Sequence, residues 1–222
     1  MKVAISGASG KTGYRIAEEA LSSGFDIRLL LRETSEVPQS LSNAEKSIIS
    51  LSDNNSLDKA LNGCDSLIIA TGAKPSIDLT GPARIDAFGV QKQVESSKRV
   101  GIKRLILVSS LCSGRWIHPL NLFGLILVWK RLGEKSLEKS NLDWTVIRPG
   151  GLNEREDDLN DEFVRFTGPD VQQDAYIPRR LVARCCIEAL KTPSSIGQII
   201  EVTSSPDIEP LSMKDALEGL KV

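Results

Sequence analysis

The sequence contains few of the side chains that build metal centres or disulfide frameworks. Its 222 residues include one histidine, His118, and four cysteines that form no C-x-x-C pair. This argues against a zinc site and against a disulfide-stapled fold, so we expect no bound metal and a reducing compartment. The role left for the thiols is burial, which we predict for Cys64, Cys112, Cys185 and Cys186.

A surplus of one charge sign and long apolar runs are also missing. The formal net charge is −1, so no basic field attracts nucleic acid or anionic lipid. The longest apolar stretch, Leu122–Trp129, is far shorter than the roughly 20 residues needed to cross a bilayer. The chain enters an apolar run at Lys2–Ser6, which leaves no room for a signal peptide. We therefore expect a soluble, cytoplasmic protein without a nucleic-acid partner or a transmembrane span.

Short apolar runs alternate along the chain with longer amphipathic stretches. The apolar runs are predicted strands at Val3–Ser6, Ile27–Leu31, Lys46–Leu51, Ser66–Ala70, Arg104–Ser109, Trp144–Arg148 and Ile199–Val202. The amphipathic stretches are predicted helices at Thr12–Ser23, Leu57–Leu61, Ile85–Val100, Leu125–Lys139 and Arg180–Leu190. Several strands are almost continuously apolar, as is typical of parallel strands covered by helices on both faces. The pattern predicts one α/β domain over residues 1–222, with a doubly wound parallel sheet (Rossmann fold).

A polar segment, Asn153–Asp174, interrupts this alternation. It opens a C-terminal part, residues 153–222, that we expect to contribute a small substrate lobe. Acidic residues cluster in its first half at Glu154, Glu156, Asp157, Asp158, Asp161 and Glu162. We interpret the segment either as a surface excursion near the mouth of a site or as a solvated linker.

A glycine-rich loop follows the first predicted strand and opens the first predicted helix. It has the spacing G-x-x-G-x-x-G over Gly7–Gly13. In this context the first glycine makes the tight turn, and the second, which has no side chain, lets a diphosphate approach the backbone. The third lets the helix and the strand pack closely. Free amides and the helix dipole then favour bound phosphate. We therefore predict dinucleotide binding by Gly7, Ser9, Gly10, Lys11, Thr12 and Gly13, the alternative being a tight turn without a ligand.

The residue after the second predicted strand bears on which dinucleotide is bound. NAD sites usually place Asp or Glu there for the ribose hydroxyl, whereas NADP sites place arginine near the 2′-phosphate. Here the residue is Arg32, and Lys11 adds charge from the glycine loop. We therefore predict NADP(H) as the cofactor, the alternative being that Arg32 is an ordinary surface arginine.

The ends of two further predicted strands offer a lining for the adenosine half of the cofactor. Bulky side chains after the fourth strand would collide with the ribose, and the residues there are Ala70, Thr71 and Gly72. Leu51, at the end of the third strand, is expected to pack on the adenine.

Six segments with a common order and spacing extend over most of the chain. They are Gly7–Gly13, Ile69–Gly72, Asp86–Gly89, Leu107–Ser110, Asn121–Gly124 with Lys130 and Glu134, and Leu142–Leu152. On these segments the sequence resembles the atypical short-chain dehydrogenase/reductases of the NmrA-like, NAD(P)H-binding group. It is most similar to a plant and cyanobacterial branch that includes chloroplast NAD(P)-binding proteins and the dehydrogenase-like subunit of the inner-envelope translocon.

The resemblance implies roles for residues in the second half of the chain. Lys130 stands where the family lysine contacts the nicotinamide ribose, and Ser109 stands where the catalytic serine would be. The resemblance also implies that the segment after the sixth strand passes near the nicotinamide. That segment comprises Pro149, Gly150, Gly151 and Leu152.

One departure from the family pattern concerns the catalytic tyrosine. Catalytic members carry Tyr-x-x-x-Lys, which places both side chains one helical turn apart, but Ile126 stands four residues before Lys130. The general acid is therefore missing from its usual place. The tyrosines present are Tyr14, in the first helix, and Tyr176, in the late polar region. Tyr176 would substitute if it folded over the site, the alternative being plain surface packing.

Two functions are consistent with these observations. The first is an NADPH-dependent oxidoreductase whose acceptor takes its proton from solvent, such as a quinone or a flavin. The second is a non-catalytic NADPH-binding redox sensor or assembly module, for which the missing tyrosine is neutral. In addition, the apolar run Pro119–Trp129 is a candidate contact for a membrane surface or a protein partner, the alternative being a helix packed on the sheet.

Overall fold

The computed structural model describes residues 1–73, 79–122, 124–173 and 175–219. The strands are β1 (Lys2–Ser6), β2 (Asp26–Leu31), β3 (Glu45–Ile48), β4 (Ser66–Ile69), β5 (Arg104–Val108), β6 (Asp143–Pro149), β7 (Gly151–Asn153), β8 (Phe163–Thr167), β9 (Tyr176–Pro178) and β10 (Gln198–Ser205). The helices are α1 (Gly13–Ser22), α2 (Asn54–Leu61), α3 (Val90–Val100), α4 (Ile126–Glu138), α5 (Arg179–Lys191) and α6 (Met213–Gly219). A π-helical segment, Ala83–Gly89, leads directly into α3.

Eight strands form one sheet in the order β3-β2-β1-β4-β5-β6-β10-β8. Every pairing in it is parallel except that of β8 with β10. The predicted parallel, doubly wound sheet is therefore confirmed. The strand order reverses between β1 and β4, and open sheets of this kind bind ligands in the crevice at such a switch point.

Helices cover both faces of the sheet because side chains alternate along each buried strand. On β1, Val3 and Ile5 pack into a core shared with α1 and α5, and their neighbour Ala4 packs into a second core shared with α2 and α3. The two cores explain why the strands are almost continuously apolar. They also hold the carboxyl ends of the strands at one common edge.

Two helices differ from their predicted limits for identifiable reasons. The second helix starts before Leu57, because the Asp53 side chain accepts a hydrogen bond from the Asn55 amide and caps the helix there. The predicted helix Ile85–Val100 is π-helical over its first part. Such segments occur often at functional sites, and this one carries the buried Asp86.

The C-terminal part of the chain contributes to both layers of the fold. β10 extends the parallel sheet, α5 packs against α1, and β7 pairs with β9 in a separate two-stranded sheet. Phe163–Thr167, inside the polar segment, forms β8 and pairs antiparallel with β10. A linker interpretation is therefore wrong for these residues, whose alternating side chains suit an edge strand. Phe123 and Asp174, which belong to the predicted apolar run and polar segment, lie outside the described residues.

Candidate functional site

The glycine loop lies at the carboxyl end of β1, where it meets the end of β4. Gly7 has a φ of +83°, and a Cβ there would lie 2.7 Å from the carbonyl carbon of Ala70, so only glycine fits. Gly13 opens α1, and a Cβ on it would lie 2.6 Å from the carbonyl carbon of Gly7. These two close approaches place the start of α1 directly against the strand ends.

The loop leaves backbone donors available at the start of α1. The Gly10 amide donates to the Gly7 carbonyl at 2.9 Å, and the Tyr14 amide donates to the Gly10 carbonyl at 3.0 Å. Within the described ranges, the amides of Lys11 and Thr12 have no hydrogen-bond partner. Unpaired amides at a helix N-terminus, together with the helix dipole, form a site for an anion. The loop therefore fits the diphosphate of a dinucleotide.

The loop after β2 is joined to the glycine loop through a serine. The Ser35 hydroxyl oxygen accepts from the Arg32 amide at 3.2 Å and is 3.3 Å from the Ser9 hydroxyl, which donates to it. The Arg32 side chain is exposed and has no partner in the part of the chain described. Leu51 turns toward the π-helical segment, since a Cβ on Gly89 would lie 3.0 Å from its Cδ1. Ser35 is a contact that the sequence did not indicate.

Two carboxylates from the segment after β7 cover cations of the glycine loop and α1. Glu154 forms an ion pair with Lys11, and Glu156 forms ion pairs with Arg15 and Arg180. The hydrogen bond from Lys11 holds the pKa of the exposed Glu154 carboxyl below its usual value. Two members of the acidic cluster thus lie at the mouth of the loop, which favours the first of the two interpretations of this segment.

Lys130 forms a largely buried ion pair at the end of β4. Its Nζ lies 2.8 Å from Oδ1 of Asp86, and Oδ2 of Asp86 accepts from the Ala73 amide at 3.1 Å. The Lys130 side chain is 15% exposed and that of Asp86 is 2% exposed. A Cβ on Gly72 would lie 3.9 Å from Nζ, and the buried Thr71 hydroxyl, which has no partner among the described residues, lines the same crevice. Lys130, which the resemblance implies, therefore lies beside Thr71 and Gly72, which were predicted from the end of the fourth strand.

Ser109 lines this crevice too, but its hydrogen bond runs to a buried acid on α4. The hydroxyl donates to Oε1 of Glu134 at 2.6 Å, and Arg148 donates to the two carboxylate oxygens at 2.9 and 2.8 Å. The Glu134 side chain is fully buried and that of Arg148 is 2% exposed. Since Lys130 and Glu134 are one turn apart, α4 presents a cation and an anion to adjacent strand ends.

Glu134 is a carboxylate in this environment. Burial raises the pKa of Glu134. The hydrogen bonds and charge of Arg148, together with the Ser109 hydrogen bond, lower it by more, so the pKa lies below the usual 4.5. An ionised carboxylate has no proton to donate, so the hydroxyl hydrogen must point to Glu134. The Ser109 hydroxyl therefore donates its one hydrogen to Glu134 and has none left to give to a ligand.

The segment after β6 lies beneath the ring of a tyrosine. Gly151 pairs with Tyr176 in the small sheet, and a Cβ on Gly151 would lie 2.5 Å from Cδ1 of that ring. Pro149 and Gly150 are buried, whereas Leu152 and Tyr176 are 37% and 68% exposed. Of the two tyrosines, Tyr176 thus stands over the segment that the resemblance brings near the nicotinamide.

The position of the missing tyrosine is filled by packing. Ile126, the first residue of α4, packs on Leu111, Cys112 and Leu127. The run before it exposes apolar side chains, which are Trp116, Ile117, Leu120, Leu122 and Leu125. Within this run, Pro119–Leu122 form a 3-10 helix and α4 begins at Ile126, and the docking role of the run stays a prediction.

A second cavity, of about 600 Å³, lies beside α4. Arg131 and Lys135 on α4 and Arg115 and Trp116 on the preceding loop line it. Arg148, which donates to Glu134, also lines this cavity, so the cavity adjoins the Glu134 network.

The four cysteines are buried and free, as predicted. Burial raises the pKa of Cys186 to about 12, so this thiol is not a nucleophile at neutral pH. Over the described ranges, no three His, Cys, Asp or Glu side chains are grouped to hold a metal ion. No helix there has the length and apolar character needed to cross a membrane.

Fold and site together define a dinucleotide-binding Rossmann protein. Glycine is required at Gly7 and Gly13. Among the described residues, the amides at the start of α1 and the Thr71 hydroxyl, which lines the crevice, have no hydrogen-bond partner. The profile of the NAD(P)H-binding family matches residues 7–193, and the chain belongs to that family. The resemblance seen in the sequence is confirmed, and the cofactor is a nicotinamide dinucleotide.

Relatives with curated descriptions extend over almost the whole chain. An uncharacterized chloroplastic protein of Arabidopsis thaliana is 33% identical over 99% of this chain and 82% of its own length. Sanguinarine reductase of Eschscholzia californica is 28% identical over 93% of this chain and 90% of its own length. The chloroplastic protein TIC 62 of Arabidopsis thaliana is 32% identical over 98% of this chain, which covers only 38% of that larger protein.

Solved structures show the same architecture. A Bacillus halodurans protein provisionally assigned as an NAD-dependent epimerase/dehydratase superposes with a TM-score of 0.85 at 26% identity, covering 99% of this chain and 100% of that one. The oxidoreductase ylbE of Lactococcus lactis superposes with a TM-score of 0.82 at 25% identity, covering 100% and 97%. Together these relatives support an NAD(P)-dependent oxidoreductase in general.

Proposed function

We propose that the protein is an NADPH-dependent reductase whose acceptor takes its proton from solvent, a quinone or a flavin being the favoured class. The observation that carries this proposal is the engagement of the Ser109 hydrogen with Glu134, while Ile126 fills the place of the tyrosine. Among the described residues, the serine and the tyrosine position of the family pattern therefore provide no proton donor, and reduction of a ketone is disfavoured.

The residues present fit the cofactor in three places. The amides of Lys11 and Thr12 would hold the diphosphate. The exposed, unpaired Arg32 would contact the 2′-phosphate, for which a forked guanidinium is suited. Lys130, held by Asp86, would contact the nicotinamide ribose.

When bound, the nicotinamide supplies a hydride, and the protein supplies position and charge. The Lys130 ammonium lies beside the crevice, where its partner Asp86 fixes it at 2.8 Å. The Ser109 oxygen, with its hydrogen turned toward Glu134, is free to accept from a donor group of the acceptor molecule. The name of the relative sanguinarine reductase also supports a reductase over a sensor.

Cofactor choice is tested by Arg32→Ala. We expect NADPH affinity to fall by about tenfold to a hundredfold, as for loss of a hydrogen bond to a charged group, with NADH affinity unchanged. Glu33→Ala, a change at the exposed neighbouring residue, is the control. Equal losses for both nucleotides in Arg32→Ala would contradict the NADP assignment.

The reaction is tested by following NADPH absorbance with a panel of quinones, flavins and carbonyl compounds. We expect turnover with quinones or flavins and little with ketones. Tight NADPH binding without turnover of any acceptor would instead support the alternative function, a non-catalytic redox sensor or assembly module.

A further inference from the structure

Four cations surround the glycine loop, and only one of them lacks a carboxylate partner among the described residues. We call Lys11, Arg15, Arg179 and Arg180 the loop cations. Lys11 pairs with Glu154, Arg15 with Glu156, and Arg180 with Glu156 and Glu18. Arg179, the first residue of α5, forms no such pair. The loop cations therefore carry one positive charge more than the three carboxylates that neutralise them.

Arg179 is directed at the glycine loop itself. Its Nη1 donates to Oγ1 of Thr12 at 3.0 Å, and its Nε is buried without a hydrogen-bond partner in the described ranges. Burial lowers the pKa of its guanidinium, and no adjacent carboxylate compensates fully. A charged donor left unpaired in this way is costly unless an anion is bound beside it.

Thr12 brings a backbone amide and the guanidinium of Arg179 to the same end of α1. The amide is unpaired at the start of α1, and the hydroxyl holds the guanidinium of Arg179. A forked guanidinium and helix N-terminal amides are both suited to phosphate oxygens.

We propose that Arg179 is a cofactor-positioning residue that contacts the diphosphate bridge of the bound dinucleotide. The role rests on the proposed function, because it requires that the glycine loop bind a dinucleotide. It also gives the C-terminal part of the chain a direct share in the cofactor site. The same short stretch carries Tyr176 over Gly151 and Arg179 to Thr12.

This role has a signature that differs from that of Arg32. The diphosphate is common to NADPH and NADH, whereas the 2′-phosphate is present only in NADPH. Loss of a diphosphate contact therefore weakens both nucleotides by the same factor. Adenosine 2′-monophosphate, which has no diphosphate, is unaffected.

The experiment is calorimetry of Arg179→Ala and Arg179→Lys with NADPH, NADH and adenosine 2′-monophosphate. We expect Arg179→Ala to lose about tenfold to a hundredfold in affinity for both dinucleotides, the range for a hydrogen bond to a charged group. Arg179→Lys retains the charge and should lose less. Arg184→Ala, at an exposed arginine of the same helix, is the matched control and should bind like the wild type.

Three outcomes would overturn the role of Arg179. They are unchanged dinucleotide affinity in Arg179→Ala, a loss confined to NADPH, and an equal loss of adenosine 2′-monophosphate, which would indicate general disruption. If circular dichroism shows that Arg179→Ala does not fold, Arg179→Lys and a further variant, Arg179→Gln, carry the test. Wild-type affinity for both dinucleotides in these two folded variants would then overturn the role. Absence of binding by the wild-type protein would instead overturn the proposed function itself.

Discussion

The Ser109 hydroxyl lies 2.6 Å from Oε1 of Glu134 and donates its hydrogen to it. The same carboxylate is fully buried and accepts two hydrogen bonds from Arg148. These bonds keep the acid ionised. The serine at the position of a catalytic residue is thus part of a buried polar network. This arrangement connects stability to the site, because the network and the Lys130 crevice share α4.

The Ser109–Glu134 hydrogen bond is predicted to stabilise the fold. Ser109→Ala should lower the free energy of unfolding by about 1.5–3 kcal/mol, since it leaves a buried charged acceptor with one partner fewer. NADPH affinity should be retained. The measurement is urea unfolding, with Ser110→Ala as the control, because the neighbouring hydroxyl has no described hydrogen bond. Equal stability of the two variants would contradict the role given to this bond.

Glu134 is predicted to make stability fall on acidification. Its folded-state pKa lies below the usual 4.5, because Arg148 and Ser109 outweigh the effect of burial. The contribution is therefore complete above 4.5 and is lost as the pH falls through the lowered value. Glu134→Gln should flatten the acid side of the stability profile measured by urea unfolding.

Glu188 provides a control of opposite sign for this experiment. Burial raises its pKa, so its contribution is present below 4.5 and is lost as the pH rises through the raised value. Glu188→Gln should therefore leave the stability profile below pH 4.5 unchanged. If both variants kept the wild-type profile on the acid side, the account of Glu134 would be wrong.

The Lys130–Asp86 pair is predicted to serve both stability and cofactor binding. Lys130→Met leaves Asp86 buried without its partner, which typically costs about 3–5 kcal/mol. The double variant Lys130→Met with Asp86→Asn removes the unpaired charge and should recover stability in thermal unfolding. NADPH affinity should stay reduced in the double variant. Recovery of both properties would show that Lys130 acts only through the fold.

The phenol of Tyr176 is predicted to be dispensable for quinone or flavin reduction. Tyr176→Phe keeps the ring over Gly151 and removes only the hydroxyl. Because the proposed acceptors take their proton from solvent, kcat for NADPH oxidation should not change. A fall of about a hundredfold, within the usual range for loss of a general acid, would show that Tyr176 replaces the missing tyrosine.

The sheet was predictable because most of its strands are apolar on both faces. The seven predicted strands correspond to β1 through β6 and β10, since the two cores on either side of the sheet leave a strong pattern. β8 was not predicted, because Phe163–Thr167 is an edge strand whose side chains are only partly buried. Its place is set by pairing with β10, which local periodicity does not reveal.

The candidate site was predictable where it depends on local sequence and not where it depends on distant pairing. The glycine loop is one continuous motif, so its turn and helix start follow from spacing. Arg179 reaches Thr12 across 167 positions, and Glu154 reaches Lys11 across 143. Nothing in the neighbourhood of either residue indicates such a contact.

The most direct test of the account is calorimetric titration of NADPH and of NADH into the folded wild-type protein. In our proposal the amides of Lys11 and Thr12 would hold the diphosphate shared by both nucleotides, and Arg32 would contact a phosphate present in only one. We therefore predict heat of binding with both and a lower Kd for NADPH. Absence of binding heat with either nucleotide would contradict the central claim.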